Sequence, residues 1–115
     1  MELFRMSATA LLKAYRSGAA SPLEAMRSVL DRVARFEPHI SATYLLSPER
    51  ALAEAKASEE RWRRGQPIGP LDGVPATVKD NIATKGDPVP VGTAASDLTP
   101  AALVRAGRRR PLGVK

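Results

Sequence analysis

Apolar side chains recur at helical spacing in three stretches of this chain, and two shorter stretches read as strands. Ala8, Leu11, Leu12 and Tyr15 share one face of a helix expected over about residues 8–16. Ser7 can cap it and Gly18 can end it. In "SPLEAMRSVLDRVARFEP", Leu23, Met26, Leu30 and Val33 form a stripe that Val29 and Ala34 widen. Ser21 as N-cap, Pro22 at the first helical position and Glu24 in a capping box start this second helix. Pro38 is expected to stop it, leaving His39 in a loop. "SPERALAEAKASEERWRRG" predicts a third helix, closing at Gly65. Its many charges leave it one buried side, with Ala51, Ala55 and Trp62 on it.

The strand-like stretches are Ser41–Leu46 and Val74–Val78, where Val74, Ala76 and Val78 alternate with Pro75 and Thr77. Pro75 suits a strand's start or a bulge. "GQPIGPLDG" before it is loop, and "NIATKGDPVPVGTAASDLTP" after it is a long irregular segment. "AALVRAG" is expected to form one or two helical turns. Helix, helix, strand, helix, strand and long loop point to an α/β or α+β chain, although two strands make a poor sheet by themselves.

Composition narrows the function. The chain has 115 residues, enough for one small domain. It has no cysteine and one histidine, His39, which excludes disulfides and thiolate sites and leaves no basis for a histidine triad. No cofactor or metal is expected. No apolar run is long enough to cross a membrane, and a soluble cytoplasmic protein is the expectation. The net charge of +6 comes from the end of the chain: residues 1–97 hold thirteen basic and twelve acidic groups. A uniformly basic nucleic-acid surface is therefore not indicated. The Arg108–Arg110 run, with no interleaved aromatic residues, reads as a solvated end rather than a phosphate-binding arm.

"GPLDGVPATVKDNIATKG" carries the densest chemistry. Taken alone, Lys79 is an ordinary surface lysine at a strand end, or a base awaiting a nucleophile. The segment resembles the amidase-signature family, whose pattern G-P-L-x-G-[IV]-P-x-x-[VL]-K-D-N-I is followed by T-x-G. Gly69, Pro70, Leu71, Gly73, Val74, Pro75, Val78, Lys79, Asp80, Asn81, Ile82, Thr84 and Gly86 fit it. The likeness extends over about residues 5–103. It implies an α/β fold with a mixed sheet flanked by helices. It also implies hydrolysis, or acyl transfer, of carboxylic amides by a Ser–cis-Ser–Lys triad. Lys79 takes the place of the general base. Asp80 and Asn81 either brace the following loop or orient the lysine.

The chain also departs from the pattern. None of its eight serines lies in the Gly/Ser-rich run that supplies the family's other two triad members. Thr93 and Ser96 have no base partner and are not nucleophile candidates. After "RAG" the family continues into an apolar strand, whereas here "RRRPLGVK" follows. Truncation, deletion or a frameshift each accounts for the break. The expected organisation is an incomplete amidase domain over 1–103 and a basic, disordered tail over 104–115.

A lysine base must be neutral before it accepts a proton. For any lysine at neutral pH this takes roughly 5 kcal/mol of environmental bias from burial and nearby positive charge. Without chain packed over it, Lys79 is expected to face water, and the chain alone to be inactive. An amide substrate is then expected only for an intact enzyme. The alternatives are a non-catalytic module that pairs with a chain carrying the serines, and a small binding protein acting through its basic tail.

Overall fold

The computed structural model describes residues 2–88, Pro100, Ala102 and the backbone of Arg105–Ala106. The chain divides into two compact units, Met1–Ala76 and Thr77–Lys115.

The first unit is helical. A 3-10 turn, Leu3–Arg5, precedes α1 (Ala8–Ser17), α2 (Pro22–Ile40) and α3 (Pro48–Arg63). The α1 caps are those expected. Ser7 accepts a hydrogen bond from the Ala10 N–H, and Gly18 adopts a left-handed conformation at φ 72°. At the start of α2, Ser21 and Glu24 close both hydrogen bonds of the capping box. Leu3, Leu11, Leu12, Ala14, Tyr15, Ala20 and Ala25 form the core, with Met6, Trp62 and Val74 packed against it. The 3-10 turn is held to α2 twice. The Phe4 N–H donates to Ser28 Oγ at 3.2 Å. The Arg32 guanidinium lies 4.9 Å from the Phe4 ring and 3.9 Å from the Phe36 ring.

Pro38 does not stop α2; the helix runs two residues past it, so His39 is helical. Proline removes the N–H that would bond to the carbonyl of Ala34. Both residues are exposed, so solvent reaches the freed carbonyl. The helix ends instead at Ser41, left-handed at φ 46°, whose N–H bonds to the Glu37 carbonyl. The α2 stripe is covered only in part. Pro22 and Ala25 are buried, Leu23, Met26, Val29, Leu30 and Val33 are half-buried, and Ala34 is exposed. On α3, Ala55 is buried as expected, while Ala51 and Trp62 are half-buried.

Neither expected strand forms. Ser41–Leu46 is irregular, with Tyr44, Leu45 and Leu46 exposed. Val74–Val78 is irregular too. Val74 bonds back into a turn on Leu71, Pro75 has no N–H, and no strand among the described residues runs beside them. A lone strand has no ladder to hold it.

In the second unit the described sheet is one short antiparallel pair, β1 (Ile82–Ala83) with β2 (Arg105–Ala106), Ile82 facing Ala106 and Ala83 facing Arg105. Arg105–Ala106 is therefore extended, not helical as "AALVRAG" suggested. The described residues are thus rich in helix and poor in sheet. Thr93, Ser96 and Arg108–Arg110 lie outside them.

Candidate functional site: a pinned turn and an exposed lysine

The segment from Gly69 to Gly86 crosses the boundary between the two units, and its two halves differ. Gly69–Gly73 is a tight turn closed by Asp72 N–H to Gly69 C=O at 3.3 Å. Asp72 is buried and fully bonded. Arg61 grips its carboxylate with two hydrogen bonds, Nε to Oδ2 at 2.8 Å and Nη2 to Oδ1 at 2.6 Å. The buried Ser58 hydroxyl donates to Oδ1 at 2.7 Å, and the Ile68 N–H to Oδ2 at 3.1 Å. The Arg61 guanidinium, helped by Ser58 and Ile68, holds this carboxyl well below the usual carboxylate range, although burial opposes the shift.

Two aromatic residues hold the backbone of the same turn. The Trp62 indole N–H donates to the Asp72 carbonyl and the Tyr15 hydroxyl to the Gly73 carbonyl, each at 3.0 Å. Their rings lie 5.9 Å apart, tilted by 56°. Burial pushes the Tyr15 hydroxyl up to about 12. Gly73 sits at φ 82°, and a Cβ there would come within 2.5 Å of Ser58 Oγ and 2.7 Å of Pro22 Cγ. Only glycine fits both the left-handed backbone and this gap. Residues from α1, α2 and α3 therefore converge on one five-residue turn.

The second half is open. Lys79 has a side chain 72% exposed, and its Nζ lies 3.6 Å from Asp80 Oδ1. The Ile82 N–H bonds to the Lys79 carbonyl at 3.0 Å, folding Lys79–Ile82 into a turn that leads into β1. Asn81 is exposed and Asp80 half-buried. Lys79 and Asp80 are thus brought together as an exposed ion pair, and Val78 beside them is 55% exposed. An open groove of about 690 Å³ among the three helices, lined by Tyr15, Arg16, Pro22, Arg27, Trp62 and Arg63 with others, includes none of these three candidates. Among the described residues no cluster of His, Asp or Glu is placed to hold a metal ion, and no helix is long and apolar enough to cross a membrane.

A family model described as Amidase matches residues 24–102, which include both the pinned turn and Lys79. The chain belongs to the amidase family. Among curated proteins, it is 41% identical to a glutamyl-tRNA(Gln) amidotransferase subunit of Chloroflexus aggregans over 92 residues, 80% of this chain and 19% of that protein. The protein of the same name from Thermobifida fusca is 39% identical over 97 residues, 84% of this chain and 19% of that protein. That of Synechococcus sp. is 44% identical over 63 residues, 55% of this chain and 12% of that protein. This amidase chain thus spans about a fifth of the length of the first two relatives.

The buried half of the segment is what inspection of the sequence missed. Asp72 occupies the one free position of the "GPLDG" pattern, and Ser58 and Arg61 are not among the residues expected on the buried side of their helix. Ser58 and Arg61 are three residues apart, the spacing that places two side chains on one helical face. Together with an Asp-Gly turn after the helix, that spacing was the available signal.

Proposed function

We propose that this chain is the lysine-bearing N-terminal part of an amidase-type hydrolase acting on the carbon–nitrogen bonds of carboxylic amides. Lys79 is the general base of its Ser–cis-Ser–Lys triad. In this reading the whole fold is α/β, a mixed sheet flanked by helices, and the serines and oxyanion donors lie in other polypeptide. The relatives' names make glutamyl-tRNA(Gln) amidotransfer one candidate reaction. The observation that supports the reading is a family match over residues 24–102, a range that includes "VKDNIATKG" and so Lys79.

The second reading is that the chain works as a module completed by a second chain. It is favoured by Tyr44, Leu45 and Leu46, three successive large apolar residues that are 56%, 49% and 44% exposed. The Lys79 side chain is 72% exposed. Its Nζ lies 3.6 Å from Asp80 Oδ1.

The test is release of ammonia from glutamine, acetamide and benzamide. It is run with the purified full chain, and with the chain co-expressed with the Chloroflexus aggregans relative deleted for its matched stretch. The chain alone is expected to be silent and the assembly active, and Lys79→Ala to abolish that activity. Turnover by the isolated chain that needs Lys79 would overturn the inactivity. Assembly turnover indifferent to Lys79→Ala would overturn the assignment of the base.

A further inference from the structure

Arg32 is a half-buried cation whose N–H groups meet no acceptor among the described residues. Aromatic rings hold it instead. Its guanidinium lies over two of them, 4.9 Å from Phe4 and 3.9 Å from Phe36. Both rings are placed independently of it. Phe36 is one turn further along α2. Phe4 belongs to the 3-10 turn, and its N–H ties that turn to Ser28 Oγ at 3.2 Å. Arg5 and Arg35 complete the cluster, each 5.6 Å from one of the same rings. A cation over a ring is attracted through its charge and uses none of its N–H donors. Arg5 Nε pairs with Glu2 at 2.9 Å. The side chains of Arg32 and Arg35 form no hydrogen bond or ion pair among the described residues. The adjoining acids do not serve them: Glu37 Oε1 accepts the Thr43 N–H, and Asp31 is exposed and pairs with neither. None of the Arg32 nitrogens is closed off from solvent. Two guanidiniums therefore share the Phe36 ring and keep their N–H edges open.

We propose that Arg32 and Arg35 form a binding site for a phosphate group, either inorganic phosphate or a small phosphate monoester. What is already occupied selects the ligand. A ring face covered by a guanidinium has no room to stack a base, which disfavours a nucleobase. The open N–H edges are planar forks of donors, and such forks match the oxygens of a carboxylate or a phosphate. Two forks at one ring suit phosphate better. It brings three acceptor oxygens and about two negative charges near neutral pH, enough to meet both arginines. A carboxylate has two oxygens, which a single fork satisfies. The site is also prepared in advance. Phe4 and Phe36 restrict the Arg32 side chain, which lowers the ordering cost of binding. A guanidinium is weakly hydrated, so little is lost when water leaves its edge. Lys79 has no part in this site.

The experiment follows the Arg32 Nε–H resonance of the isotope-labelled full chain as inorganic phosphate is added at constant ionic strength. Glycerol phosphate, acetate and chloride are the other arms, and calorimetry gives the affinity of each variant. A saturable shift is expected with inorganic phosphate, with glycerol phosphate or with both, and none with chloride. Whichever of the two binds more tightly identifies the source of the phosphate. Arg32→Lys keeps the charge but loses the fork, and is expected to weaken binding about tenfold or more. Arg35→Gln, at an exposed side chain, carries the test if Arg32→Lys fails to fold, and is expected to weaken binding about fivefold. Arg27→Gln, at an exposed arginine elsewhere on α2, is expected to leave the affinity unchanged. No saturable shift at Arg32, the same shift from chloride, or full affinity in a folded Arg32→Lys or Arg35→Gln variant would each overturn the site. So would an equal loss in Arg27→Gln, which would mean that general positive charge attracts the anion. Acetate binding as tightly as phosphate would overturn the choice of ligand.

Discussion

The turn at Asp72 and the turn at Lys79 lie seven residues apart in one sequence motif, and their physical situations are opposite. At Asp72 the carboxylate side chain is 3% exposed and takes hydrogen bonds from Arg61, Ser58 and Ile68, while Trp62 holds its carbonyl. At Lys79 the charged group is 72% exposed, with one carboxylate 3.6 Å away. A motif that looks uniform in sequence therefore joins a buried, fully bonded carboxylate to an exposed lysine. The anchor is complete within this chain.

Substitutions should separate the two turns. The largest effect is expected at Gly73. Gly73→Ala must adopt a left-handed backbone and displace Ser58 or Pro22, costing about 2–4 kcal/mol in a urea titration of the full chain. A loss below about 0.5 kcal/mol would show that the turn is not tightly seated.

Asp72→Asn should cost about 1.5–3 kcal/mol at neutral pH, since it weakens hydrogen bonds to a buried charge. The folded carboxyl is held below its unfolded value, so its contribution is complete above about pH 4. It is lost as pH falls toward the folded value. The stability difference between wild type and Asp72→Asn should therefore shrink as pH drops below about 4. A difference that stays constant through that range would break the comparison.

Tyr15→Phe should cost about 1 kcal/mol by removing the hydrogen bond to the Gly73 carbonyl. Burial raises the folded hydroxyl from 10.0 to about 12. Its contribution is complete below pH 10 and is lost as pH rises from 10.0 through about 12. The phenylalanine variant should lack that alkaline loss when melting temperatures are compared across the range.

The smallest stability effect is expected at Lys79. Lys79→Ala should change the unfolding midpoint by less than about 0.5 kcal/mol, because an exposed ion pair contributes little. The same substitution should abolish hydrolysis by the completed assembly. A large stability loss would mean that the lysine, too, belongs to the anchor.

The helices were legible because their signals are local. Ser7, Ser21, Pro22, Glu24 and Gly18 each act within one turn of chain, and they set the starts of α1 and α2 and the end of α1. Pro38 misled because a proline three positions from a helix end removes only one hydrogen bond, and its neighbours there are solvated. The strands were illegible for a non-local reason. "SATYLL" and "VPATV" have strand composition, but strands exist by pairing, and no partner runs beside them among the described residues. Lys79 was singled out because a motif names it. Asp72 was missed because its role depends on Arg61, Ser58 and Ile68 meeting around it.

The chain's single tryptophan donates its indole N–H to the Asp72 carbonyl and lies beside the Tyr15 ring. The protein thus contains its own optical probe of the anchor. Loosening the Gly69–Gly73 turn should admit water to the indole and move its fluorescence to longer wavelength before the helices melt.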